Sequence, residues 1–269
     1  MRIRSLAPIF LLTASLGAHA GFPEGMQAAQ RGDYATAYKE WLPLAEQGNS
    51  DAQNNLGVLF ERGQGVQRDL GKAVEWYRKA ADQGNASAQN NLGVCYERGL
   101  GVTQDFKQAA EWYQRGAHRG DVNAQNNLGV LHERGQGVAQ DIKLALNWYR
   151  RAAERGSRQA QNNLGVLYER GTGVPQDVAT AARWYRAAAE QGHATAQNNL
   201  GVLYGQGRGV PQDLVQANLW FSLAAAAGNA NGTQNRDATA RRMSDAQRAQ
   251  VEKLLAEWQA RQASRSAAR

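Results

Sequence analysis

Apolar residues along this chain fall into blocks of about a dozen positions at helical spacing, separated by short polar turns rich in glycine. Residues 49–84 show one full cycle. Ala52, Leu56, Leu59, Phe60 and Gly63 share one face of a first helix. Gly57 flanks that face, where a missing side chain lets another helix approach. Gly48 ends the preceding helix and Asn49 can cap the new one; Asn85, Asp121 and Ser157 stand in the same place, and His193 breaks the series. Gly63 and Gly65 stop the helix and supply positive φ, and Val66 pins the loop by burial. Asp69 then caps a second helix, with Asp105, Asp141, Asp177 and Asp213 as counterparts. That helix buries Ala73, Trp76, Tyr77, Ala80 and Ala81 and ends at Gly84.

The cycle repeats every 36 residues without slippage. AQNNLGVLFERG at 52–63 returns as AQNNLGVCYERG, AQNNLGVLHERG, AQNNLGVLYERG and AQNNLGVLYGQG, starting at Ala88, Ala124, Ala160 and Ala196. Trp76, Trp112, Trp148, Trp184 and Trp220 keep the same register. A period of this length predicts a solenoid whose units bury their apolar faces only against neighbours, so no unit is stable alone. Both ends depart from the pattern. Residues 21–48 read as a shortened unit, with Phe22–Arg31 as a brief first helix and Asp33, Ala37, Trp41 and Gly48 repeating the logic of the second. After residue 229, Ser244 and Gln247 form a capping box for a helix whose Val251, Leu254, Leu255 and Trp258 make one apolar face. The expected organisation is 1–20 cleaved, 21–48 N-terminal cap, 49–229 five repeats, 230–260 capping helices and 261–269 a disordered basic tail.

The pattern A-x-x-x-L-G-x-L-Y-x-x-G-x-G-V-x-x-D-x-x-x-A-x-x-W-Y-x-x-A-A-x-x-G resembles the Sel1-like repeat, a relative of the tetratricopeptide repeat with a longer loop. The resemblance covers about residues 49–229. It implies an all-α, right-handed α/α superhelical solenoid that works as an interaction scaffold and presents the outer face of its first helices on a concave surface. Some members of that family bind β-lactams and carry a cysteine pair in each repeat. This chain has one cysteine, Cys95, in a slot otherwise filled by Leu59, Leu131, Leu167 and Leu203. The missing pairs weaken the carry-over of both the disulfides and that activity.

Composition changes this picture little, at 42% hydrophobic and 20% charged among 269 residues. The N-terminus adds a location. Arg2 and Arg4, the apolar run LAPIFLLTASLG and Ala18-His19-Ala20 read as a secretory signal peptide cleaved after Ala20, which predicts a periplasmic or secreted protein. The run is too short for a convincing membrane span. Removing Arg2 and Arg4 leaves 29 Lys and Arg against 24 Asp and Glu, a net charge of +5. The charges of both signs are interleaved, apart from basic clusters at 240–242 and 261–269, and no basic stripe with stacking aromatics argues for nucleic acid.

Asn54 lies about 200° round the helical wheel from Ala52, with Val58 near 240° and Glu61 near 180°, opposite the core. Asn54, Asn90, Asn126, Asn162 and Asn198, with Val58, Val94, Val130, Val166 and Val202, therefore form a candidate ladder for an extended peptide. Amides would bond its backbone and valines would floor it. The alternative is that these asparagines are a solvated face or bond between neighbouring units. The second asparagine, Asn55 and its copies, flanks the core and reads as inter-helix bonding. Little points to catalysis. The chain has no G-x-S-x-G, S-x-x-K, H-E-x-x-H or P-loop motif, and His118, His132 and His193 occupy non-equivalent positions. The expectation is a non-catalytic protein- or peptide-binding scaffold of the bacterial envelope, without cofactor, metal or stable membrane insertion. A hydrolase or penicillin-binding protein, or a structural partner in envelope or polysaccharide machinery, is the alternative.

Overall fold

The computed structural model describes residues 21–267, with side chains through residue 264; the signal-peptide reading falls on residues 1–20, outside the described residues. The described residues form fourteen α-helices and no strand. They belong to two compact units, divided after Gln104. The first holds α1 (Phe22–Gln30), α2 (Tyr34–Glu46), α3 (Ser50–Arg62), α4 (Leu70–Asp82) and α5 (Ala86–Arg98). The second holds α6 (Phe106–His118), α7 (Val122–Arg134), α8 (Ile142–Glu154), α9 (Arg158–Arg170), α10 (Val178–Glu190), α11 (Ala194–Gln206), α12 (Leu214–Ala226), α13 (Ala230–Ala240) and α14 (Asp245–Ala267). Within each unit, helices adjacent in sequence pack together, except that α14 returns to pack against α12 rather than α13.

The expected caps define the helix ends. The side chains of Asn49, Asn85, Asp121 and Ser157 accept the backbone N–H three residues on, and all five repeat aspartates from Asp69 to Asp213 cap the second helices. His193 does not interrupt the series. Its Nδ1 accepts from Ala196 N at 3.2 Å, so a neutral imidazole takes the asparagine's place.

Two glycines of each unit are explained by close approach. A Cβ on Gly57 or Gly165 would lie 2.5 Å from the ring of Tyr77 or Tyr185, so the ring lies directly on the first helix's backbone. In the loop, Gly65 at φ +70° would put a Cβ 2.4 Å from the Tyr34 carbonyl of the preceding second helix, and Gly137 repeats this against Phe106. The loop glycine is thus a joint between successive repeats.

The ends differ from expectation in two ways. Helix α13 keeps the 36-residue register, with Asn229 as its cap and Asn235 in place of Asn199. It is one more first helix after those of the five repeats, which the altered sequence NANGTQNRDATA concealed. Helix α14 begins at the expected box, with Ser244 N donating to Gln247 Oε1 at 2.9 Å and Gln247 N to Ser244 Oγ at 3.2 Å. It then runs through Ala267, past the boundary at 260. The segment expected as a disordered tail is helical because RQASRSA contains neither Gly nor Pro.

Candidate functional site

The site is built from what each first helix turns away from the core. Val58 and Val94 in the first unit, and Val130, Val166 and Val202 in the second, are all half-buried. Asn54 is half-buried as well, and Asn90, Asn126, Asn162 and Asn198 are buried, at 8–9% exposure.

That burial has a specific cause. Asn91 Nδ2 donates to Asn54 Oδ1 at 3.0 Å in the first unit. In the second, Asn163 donates to Asn126 at 3.0 Å, Asn199 to Asn162 at 3.5 Å and Asn235 to Asn198 at 2.9 Å. Asn90 and Asn127 are also engaged. In these four pairs the first asparagine of one repeat and the second of the next form a single joint, so the carbonyls of Asn54, Asn126, Asn162 and Asn198 are committed between repeats. A peptide N–H could reach an Oδ1 only by displacing that bond. The donors that remain are the amide nitrogens, and in Asn54 and Asn126 these sit 3.5 and 3.3 Å from the Oδ1 of the following asparagine.

Glu61 and its counterparts are also held. Tyr77 Oη donates to Glu61 Oε2 at 2.6 Å, Tyr149 to Glu133 at 2.6 Å and Tyr185 to Glu169 at 2.8 Å. Burial, and then the carboxylate, push these phenols well above the usual tyrosine range. The last repeat lacks both partners, having Gly205 and Phe221 instead. Removing one alone would strand a buried hydroxyl or a carboxylate.

Sequence reasoning missed the glutamine of AQNN. Gln53, Gln89, Gln125, Gln161 and Gln197 are buried, and each Nε2 donates to the carbonyl of Ala45, Ala81, Ala117, Ala153 or Ala189 at 2.9–3.1 Å. They seal the last turn of the preceding helix, where carbonyls lack intrahelical donors. Their recurrence beside a core alanine in five copies was the available signal. Gln53 Oε1 accepts from Gln83, and Gln161 Oε1 from Gln191. Where that position is not glutamine, the Oε1 of Gln89, Gln125 and Gln197 is buried without a partner; for Gln197 the position holds Ala227.

Cys95 is a buried thiol, and burial with the nearby Glu61 carboxylate pushes it up to about 12. Among the described residues no cluster of His, Cys, Asp and Glu could hold a metal ion, and no helix is long and apolar enough to cross a membrane.

A family model described as Sel1 repeat matches residues 50–85, 86–121, 122–157, 158–193 and 194–229. Among solved structures, the chain is similar to a Sel1 repeat protein from Oxalobacter formigenes, 35% identical, with a TM-score of 0.74 over 80% of this chain and 86% of that one. An immunity protein from Pseudomonas aeruginosa shares the fold at 21% identity and a TM-score of 0.54, covering 81% of this chain and 84% of that one. Among curated proteins, DAP3-binding cell death enhancer 1 of Rattus norvegicus is 42% identical over 50 residues, 19% of this chain and 10% of that protein. The match therefore spans about a tenth of that relative's length.

Proposed function

The chain belongs to the Sel1 repeat family, whose members are in general protein-interaction scaffolds, and from that premise we propose that it is a non-catalytic scaffold of the bacterial envelope that binds a protein or peptide through the outer face of its first helices. The valine row carries the reading. An apolar side chain recurs at one register position in all five repeats; Val130 and Val166 rest one side on the core of the following repeat, and every valine of the row keeps part of its surface open. Each unit can thus offer a partner apolar contact with amide donors alongside. The Asn54, Asn90, Asn126, Asn162 and Asn198 amide nitrogens supply those donors. A uniform row also argues against catalysis, which needs one asymmetric constellation. The envelope location rests on the leader-like residues 1–20.

The test is a quantitative pull-down from bacterial envelope extract with residues 21–269 as bait. A second bait carries Val→Thr at 58, 94, 130, 166 and 202, which keeps side-chain shape and leaves every asparagine joint intact. Circular dichroism confirms that it folds. A partner captured by the first bait and lost from the second supports the reading. Equal capture by both removes the valine row from the interface.

A further inference from the structure

The valine row ends in a notch. Beyond Val202, the residues that fill the equivalent place in other repeats are gone. Gly205 stands where Glu61, Glu133 and Glu169 meet a tyrosine, and Phe221 stands in the tyrosine's place. A Cβ on Gly205 would meet only Ala217 Cβ, at 3.7 Å, so nothing has moved in to occupy the space. The result is a cleft of about 200 Å³ lined by Val202, Gly205, Phe221, Ala238, Thr239 and Arg242. It is smaller than the roughly 300–1,000 Å³ of a small-molecule site, and suits one side chain. Its floor is apolar. Asn235, whose amide donates to Asn198, stands on its rim and joins it to the row.

Charge changes sign at the same place. The register position that holds Glu61, Glu97, Glu133 and Glu169, and then Gly205, holds Arg241 at the C-cap of α13, and Arg242 follows it. Both arginines are exposed and form no ion pair among the described residues, whereas Arg236 is paired with Asp237 and Arg248 with Asp245. An apolar hole beside the unpaired Arg242 guanidinium selects an apolar residue with a carboxylate next to it.

We propose that this notch is an anchor subsite for an extended acidic peptide: one apolar side chain enters against Val202, Phe221 and Ala238, and a flanking Asp or Glu meets Arg242. The proposal rests on the scaffold reading and adds to it a specific end and a ligand chemistry.

The probe is the blocked pentapeptide acetyl-Gly-Glu-Leu-Glu-Gly-amide, titrated into ¹⁵N-labelled protein of residues 21–269 and followed by the amide shifts of Gly205, Ala238 and Thr239. The peptide with both Glu replaced by Gln, and the Arg242→Gln variant, should each bind about tenfold more weakly, the loss of one charge-assisted contact. The peptide with Leu replaced by Ser should not bind. Nor should protein carrying Gly205→Glu and Phe221→Tyr, which rebuilds the pair of the other repeats and so keeps the fold. Equal binding by the Gln peptide, or retained binding by the rebuilt variant, overturns the proposal. If the pentapeptide leaves those amides unmoved while the wild-type bait captures a valine-dependent partner, the notch fails and the scaffold reading stands. A bait that captures nothing ends the scaffold reading, whatever the pentapeptide does.

Discussion

His193 makes one helix of this array sensitive to acid. Its Nδ1 accepts the Ala196 N–H at 3.2 Å, so the imidazole must be neutral for the cap to exist. Protonation removes the acceptor and places a cation at the positive end of α11, near Arg158. Burial first, and the Arg158 charge second, hold His193 below its ordinary value. A depressed histidine binds its proton more readily when unfolded. Its contribution is therefore complete above the unfolded pKa of about 6.5 and fades as the pH falls below it. A cap of this kind contributes about 1 kcal/mol, or about a fivefold change in a local opening equilibrium. The assay is hydrogen exchange at the Ala196 amide, corrected for intrinsic rate, at pH 7.5 and pH 5. Wild-type protection should drop about fivefold on acidification. His193→Asn, which restores the cap of other repeats, should show no such drop. An equal fall in both proteins would refute the reasoning, because the pH dependence would then arise elsewhere.

Three further outcomes follow from the packing. Ala227→Gln should supply the partner that Gln197 Oε1 lacks and stabilise the protein by about 1 kcal/mol, seen as a raised thermal midpoint; an unchanged or lowered midpoint contradicts it. Gly165→Ala puts a methyl group 2.5 Å from the Tyr185 ring and should cost about 1–3 kcal/mol in urea unfolding, whereas Gly156→Ala meets no neighbouring atom within 4 Å and should be affected only through its φ of +89°. Cys95, with its thiol pushed up to about 12, should react with a thiol reagent at pH 8 only as fast as the protein opens; labelling at the rate of a free thiol would show that the site is accessible.

Much of this architecture was legible because it is local. An aspartate before an apolar run and a glycine after one report helix ends whatever the rest of the chain does, and an unvarying period fixes the register. What escaped depends on partners far apart in sequence. Gln53 reads as surface on a helical wheel, and only the carbonyl of Ala45, eight residues back across a turn, makes it interior. Asn54 points away from its own core yet bonds Asn91 in the next repeat, which a wheel drawn for one helix cannot show. His193 looked like a defect because histidine is a rare cap, and its tautomer decides whether it serves. The notch was visible in sequence only as a coincidence, Glu and Tyr changing to Gly and Phe together.

The asparagine joints have a consequence for how such a chain changes length. Asn163 meets Asn126, and Asn199 meets Asn162, through the same atoms. Excising residues 158–193 would bring Asn199 opposite Asn126, and Gly209 onto Ile142, the residue that Gly173 now rests on. Splicing out or inserting a whole block thus needs no new joint. Unequal recombination can lengthen or shorten the protein's reach in whole steps, while the notch and its arginine, written only once, stay at the end of the row.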